Sequence, residues 1–328
     1  MKDAIKLKAA CGVLAVLAGL YVTNDVLADT APRTRVVLAS AKHLANADQS
    51  MMLGATLAGS RIVAVGEHGV ILLSDDNGAH FHQANEVPAN ATLTSVAFAD
   101  AQHGWAAGHW GVILRTDDGG ENWHLQRADA GVDQPLFSIA FRDASNGWAV
   151  GLWSLVLRTN DGGKTWAAAK REDISGAGKG GLNLYTVFPG GGSSVFAVGE
   201  RGTVLRSKNN GQTWDAKATD YNGTLWSGTM TRAGMIYVAG LRGHIFSSID
   251  GGDTWTPVAS GTDGSITDLV AEADSIAGVS LDGDMILARD REKGFQARKI
   301  AGHDGLTAVV FDAQGRPVIF AKDGVVAP

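Results

Sequence analysis

The sequence predicts an all-β fold: a seven-bladed β-propeller of four-stranded antiparallel blades, closed by N- and C-terminal strands. Three observations predict it. First, an octet of the form Ser/Thr-x-Asp-x-Gly-x-Thr-Trp recurs as SDDNGAHF (74–81), TDDGGENW (116–123), TNDGGKTW (159–166), SKNNGQTW (207–214) and SIDGGDTW (248–255), with a worn copy, ARDREKGF, at 288–295. Second, its third positions, Asp76, Asp118, Asp161, Asn209, Asp250 and Asp290, stand 42, 43, 48, 41 and 40 residues apart, a blade-sized period. Third, each period holds short apolar runs with period-two alternation, such as LTSVAF (93–98) and GWAAG (104–108), as strands in stacked sheets require.

The octet is an Asp-box, a turn between two antiparallel strands. Its Asp carboxylate and Ser/Thr hydroxyl can bond nearby backbone, its Gly supplies the positive φ of the bend, and its aromatic packs between neighbouring sheets. Asp76, Asp118, Asp161, Asn209 and Asp250 are therefore assigned a structural role.

Taken in order, the chain begins with Lys2, Lys6 and Lys8, an apolar run over 9–22, and Val26-Leu27-Ala28. This reads as a secretory signal peptide over 1–28, with 29–328 forming one propeller domain; retention as a membrane anchor is the rival reading. Cys11, the one cysteine, falls inside that segment, so the exported part has no disulfide, in keeping with a periplasmic protein. A net charge of −6 without a long basic run argues against nucleic acid as a partner.

The blades are placed at 51–90, 91–133, 134–181, 182–220, 221–262, 263–302 and 303–328. In each, an innermost strand leads to a second strand, a Gly-x-x-Gly turn, a third strand, the Asp-box and an outer strand starting near the box aromatic. The last unit has strands at Thr307–Phe311 and Pro317–Phe320 and the start of a third at Gly324–Val326, and ends before any box. The strand Thr34–Ser40 is expected to supply its missing edge, since a ring closed by both termini leaves no unpaired sheet edge. The longest interruption, Arg171–Gly181, reads as a mobile surface excursion.

Alternate turns of an up-and-down blade emerge on opposite faces of the disc. The Asp-boxes lie on one face near the rim. The Gly-x-x-Gly turns ring the other, together with the starts of the innermost strands. Their tips read Glu67-His68, His109-Trp110, Leu152-Trp153, Glu200-Arg201, Leu241-Arg242 and Lys322-Asp323. At one equivalent position of the innermost strands, three successive blades carry Phe137, Tyr185 and Trp226 where others carry Thr94, Thr267 and Thr307. Trp, Tyr and Arg combine large area with directional donors, so His68, Trp110, Trp153, Arg201, Arg242, Phe137, Tyr185 and Trp226 are the candidate partner-binding residues. The competing reading has Phe137, Tyr185 and Trp226 filling gaps between blades. Arg115, Arg158 and Arg206, each directly before a box, form a candidate basic stripe, or else each spans blades to bond a carbonyl or carboxylate.

Asp-boxes also occur in sialidases, whose chemistry needs three converging arginines, a tyrosine nucleophile with a nearby glutamate, and an acid/base aspartate. The Arg-Ile-Pro string that usually announces the first arginine is missing, and Glu200 is the one glutamate that blade equivalence brings near Tyr185. His80 and His82 would share a strand face without a third ligand. The Asp-Gly-Gly strings lack the spacing and closing glutamate of a calcium loop. The reading is a monomer without catalytic residues, metal, cofactor or small-molecule substrate; the alternative is a sialidase-like hydrolase or glycan-binding propeller.

The phrases VAFADAQHGWAAG (96–108) and IAFRDASNGWAVG (139–151), the phrases GHWGVILRT (108–116) and GERGTVLRS (199–207), and the boxes carry a resemblance. They are similar to the photosystem II stability/assembly-factor family of seven-bladed propellers, over nearly all of 29–328. The resemblance implies a non-enzymatic protein that holds newly made membrane-protein subunits during assembly, in a thylakoid lumen or, in a non-photosynthetic bacterium, in the periplasm beside another membrane complex such as a transporter. An arginine-rich patch belongs to the family picture; Arg201 and Arg242 match it by blade position, whereas His68, Trp110 and Trp153 do not.

Overall fold

The computed structural model describes residues 38–129, 131–175, 181–289 and 294–326. The proposed signal peptide and Asp290 lie outside the described residues. Seven antiparallel sheets follow one another along the chain. Their innermost strands are Met52–Ala58, Leu93–Phe98, Leu136–Phe141, Leu184–Pro189, Leu225–Met230, Ile266–Glu272 and Leu306–Phe311. Each packs against the next, and the last packs against the first, where Thr307 Oγ1 donates to the Met52 carbonyl. The apolar core divides accordingly into seven clusters, one per seam between neighbouring blades. No helix among the described residues is long and apolar enough to cross a membrane.

The boxes show why the octet repeats. In the third blade Thr159 Oγ1 donates to Asp161 Oδ1 (2.8 Å) and accepts from the buried Gly163 amide (2.9 Å). The same carboxylate accepts from the Thr165 amide (2.9 Å) and hydroxyl (2.6 Å). Three of the other four boxes repeat this, with His80 and Asn122 replacing the second hydroxyl donor; where Asn209 replaces the aspartate, its Oδ1 accepts as before and its Nδ2 donates to the Thr213 hydroxyl (2.9 Å). Backbone and side-chain donors from His80 hold Asp76 down at about 2; the side-chain and backbone donors of Thr165 do the same for Asp161. The boxes also join blades. Trp105 Nε1 donates to the Gly162 carbonyl (3.1 Å) and Trp148 Nε1 to that of Asn210 (3.0 Å), each in the next blade's box.

The glycine closing the second strand of each of the first five blades, where the last two have Ser280 and Ala321, answers a steric demand. A Cβ on Gly66, Gly108, Gly151, Gly199 or Gly240 would stand 2.0–2.3 Å from the carbonyl oxygen of Met51, Thr92, Pro135, Asn183 or Thr224. The innermost strand is bulged beside it, with register shifts such as that between Leu93 and Ser95, so the two backbones touch.

Two expectations change. Arg171–Gly181 is not a free excursion throughout: Ile174–Ser175 pairs in parallel with the outer strand Trp214–Ala218 of the fourth blade, making that sheet five-stranded. Shorter versions of this clasp join Glu86 to Asn122 and Ala259 to Gly294, so the connector leaving one blade covers the exposed edge of the next. The last blade has three strands among the described residues, Leu306–Phe311, Pro317–Ala321 and Gly324–Val326. The described end of Thr34–Ser40 does not add to it. The Asn90 amide donates to the Ala39 carbonyl and the Ala41 amide to that of Val87, so this segment lies along the connector between the first two blades. The N-terminal chain meets the last blade further on, where Asp48 and Gln49 abut Gly324.

Candidate partner-binding face

The five tips between second and third strands share an unusual backbone. His68 (φ 55°), Trp110 (57°), Trp153 (56°), Arg201 (57°) and Arg242 (56°) all sit in the left-handed region. That region costs an L-residue about 1–2 kcal/mol, and glycine or asparagine would fill it more cheaply. The following residue is also left-handed, and where the other four turns have glycine the third blade has Ser154 (φ 59°). Non-glycine residues are uncommon in this region, and here they are His, Trp and Arg. The sequence named these five residues from their place in the repeat; their shared conformation was not visible in it.

Their surroundings differ. Trp153 is 59% exposed and His68 is exposed beside Glu67 (4.0 Å). Trp110, expected to be exposed, is half-buried against the cluster of the first two blades, to which Leu38 and Ala41 also pack. Arg201 and Arg242 are exposed, and among the described residues neither guanidinium has a hydrogen bond or ion pair. Lys322 in the last blade is instead committed to Asp304 (2.6 Å) and Asp323 (3.4 Å).

Phe137, Tyr185 and Trp226 lie at the rim of a central cavity of about 580 Å³ bounded by all seven innermost strands. They face the channel rather than filling seams between blades. Phe137 and Tyr185 stack with ring centres 5.3 Å apart and planes at 17°. Burial pushes the Tyr185 hydroxyl up, with the Glu200 charge adding to it. The tips bond back to the residues that open these strands: the Glu200 amide donates to the Asn183 carbonyl, two residues before Tyr185, and the Leu241 amide to the Thr224 carbonyl, two residues before Trp226. Trp153, Tyr185, Arg201, Trp226 and Arg242 thus belong to one sector, formed by blades three to five.

Asp268 carries a signal that the repeat alignment held but that was not singled out. Third positions of the innermost strands read Gly54, Ser95, Ser138, Thr186, Ser227, Asp268 and Ala308. Ser95, Ser138 and Ser227 each accept an amide from the next blade's strand, at 3.2, 3.1 and 2.9 Å. Asp268 does the same through Oδ2 for the Val309 amide (3.0 Å), while Oδ1 accepts from Ser227 Oγ (3.2 Å) and its neighbour's amide (2.9 Å). The half-buried residue lines the channel, and desolvation of its carboxyl raises it to about 6.

Arg115, Arg158 and Arg206 do not make a continuous exposed stripe. Arg206 is 3% exposed and bridges blades, donating to the Gly251 carbonyl (2.9 Å) and Asp253 (2.6 Å). Arg115 is held by Asp117 in its own box (2.9 Å through Nε), and Arg158 is half-buried without a bonded partner among the described residues. The cavity lining contains no arginine, so three arginines do not converge on it. His80 is bonded to Asp76 (2.7 Å), and no cluster of three or more metal-binding side chains occurs among the described residues.

Solved structures share this architecture. "YCF48 bound to D1 peptide" matches at TM-score 0.66 and 17% identity, covering 87% of this chain and 94% of that one. "YCF48 from Cyanidioschyzon merolae" matches at TM-score 0.66 and 18% identity, covering 88% and 97%. "Structure of U3-55K" reaches the same TM-score at 12% identity, covering 83% and 89%, so likeness of fold does not choose among roles. No curated protein sequence matches. The sequence profile described as photosynthesis system II assembly factor YCF48 matches residues 75–312, and the chain belongs to that family.

Proposed function

We propose that this protein is a non-catalytic assembly or stability factor that binds a segment of a membrane-complex subunit on the face bearing the second-to-third-strand tips. The observation that carries the reading is the sector of blades three to five, where Trp153, Arg201 and Arg242 sit on left-handed tips beside an aromatic channel mouth. Exposed Trp and bond-free Arg suit a protein partner, for they offer large contact area and unengaged donors on a rigid scaffold. Family membership supports the reading, as does the fold relative YCF48 bound to D1 peptide. The protein acts as an exported monomer, in a periplasm or thylakoid lumen, on a photosystem II-type complex or on another membrane complex such as a transporter.

Affinity capture from solubilised membranes, comparing native protein with an Arg201→Ala/Arg242→Ala/Trp153→Ala variant, tests this. One membrane subunit recovered by the native protein and lost by the variant is the expected result. Equal recovery by both would move the site elsewhere. Absence of any protein partner would overturn the role and return glycan binding to consideration.

A further inference from the structure

We infer that the channel mouth is a socket for one large apolar side chain, aromatic by preference, carried on an acidic stretch of the partner. This rests on the partner-binding reading above and names what the site takes. The argument begins with the hydroxyls that bound the cavity. Thr94 Oγ1 donates to the Leu136 carbonyl (2.8 Å), Thr267 Oγ1 to that of Leu306 (2.8 Å), and Thr307 Oγ1 to that of Met52. Second-position threonine therefore ties each of these blades to its neighbour. Of the four blades without this threonine, the first has Leu53, and three consecutive ones have Phe137, Tyr185 and Trp226, which forgo the tie. Thr186, one position on, still bonds the Trp226 carbonyl across one of these seams (2.7 Å), and what stands in place of the second-position threonines is aromatic surface turned to the channel.

The wall offers little else to a ligand. Ser95, Ser138 and Ser227 already accept amides, Thr186 donates to the Trp226 carbonyl (2.7 Å), and Asp268 has both oxygens engaged. Leu53 and the half-exposed Leu281 extend the apolar lining on the far side. A cavity of about 580 Å³ with its polar groups satisfied internally favours an apolar occupant. Charge selects what carries it. On the adjoining tips Glu200 is engaged by the Asn183 amide (3.1 Å) and side chain (3.0 Å), whereas Arg201 and Arg242 have no hydrogen bond or ion pair among the described residues, so a segment with acidic residues flanking the apolar one is complementary.

The test uses three peptides, Ac-Asp-Trp-Asp-NH2, Ac-Asp-Ala-Asp-NH2 and Ac-Lys-Trp-Lys-NH2, with the propeller in calorimetry and saturation-transfer NMR. The Phe137→Thr/Tyr185→Thr/Trp226→Thr variant restores the residue of the other blades together with its inter-blade bond, so it keeps the fold. Burying the indole should favour the first peptide over the second by about tenfold to a hundredfold, and the triple variant should abolish that ratio. Arg201→Ala/Arg242→Ala should weaken both acidic peptides by a similar factor, and the lysine peptide should bind native protein more weakly than the first. Equal binding of the Trp and Ala peptides, or a ratio that survives in the triple variant, would each overturn the socket, and a lysine peptide or free indole binding as tightly as the first peptide would overturn the acidic carrier. Membrane capture separates this from the parent reading: a captured subunit without tryptophan preference sinks the socket alone. Tryptophan preference without a captured subunit sinks the assembly role alone.

Discussion

Asp268→Asn should remove a pH dependence of stability that the wild-type protein shows between neutrality and mild acid. In the unfolded chain this carboxyl titrates near 3.8, and in the fold near 6. Between those values the native state holds a proton that the unfolded chain lacks. Stability therefore rises as pH falls through 6, and the gain is complete only below the unfolded value. From about pH 7.5 to about pH 5 the carboxyl passes one unit below its folded pKa, a gain of about 1.4 kcal/mol. Asparagine fits the same bonds: its Oδ1 can take the Val309 amide and its Nδ2 can donate to Ser227 Oγ, which keeps the Leu269 amide. Urea unfolding of both chains across this range, after a reversibility check, measures the difference while contributions common to both cancel. Parallel stability curves for the two chains would refute the reasoning.

Other outcomes follow from the same geometry. Trp153→Gly should stabilise by up to about 1 kcal/mol over Trp153→Ala, since relief of left-handed strain outweighs the entropy of glycine; a lower urea midpoint for the glycine variant would refute this. Thr159→Val, which orphans the buried Gly163 amide, should cost about 1–3 kcal/mol, whereas Thr159→Ser should be near neutral because three boxes already use serine; urea unfolding reads both. Gly108→Ala would set a Cβ 2.1 Å from the Thr92 carbonyl and should cost about 3 kcal/mol or more, seen as lost soluble protein or a large fall in midpoint. Asp76 and Asp161, held at about 2 by their bonds, stabilise the fold above their unfolded value of 3.8. That contribution is lost as pH falls from 3.8 towards 2, so near-ultraviolet circular dichroism should show acid unfolding in that window, earlier in an Asp76→Ala/Asp161→Ala variant.

The blades were legible in the sequence because the Asp-box is a local device: one hydroxyl, one carboxylate and one glycine within a single turn close its hydrogen bonds without help from afar. Blade equivalence likewise located Trp153, Arg201 and Arg242 on one face. Long-range features were not legible. Ile174–Ser175 carries no strand pattern of its own and is ordered by the open edge of Trp214–Ala218. The described part of Thr34–Ser40 looks like a strand, yet backbone partners at Val87 and Asn90 hold it elsewhere. Whether Phe137 faces a seam or the channel depends on a bulge that no residue announces. Asp268 could have been found by aligning the seven third positions, where it is the single ionisable group.

The shared backbone of the five tips has an evolutionary consequence. Histidine, tryptophan and arginine share φ between 55° and 57° and ψ between 21° and 43°, so the left-handed frame does not depend on the side chain it presents. Exchange at these positions changes what the disc displays while leaving sheets, seams and boxes intact, and replacement by glycine even relaxes the turn. A lineage can therefore retarget such a propeller one blade at a time, passing through blank intermediates that still fold. The same property makes the five tips natural positions for a combinatorial library.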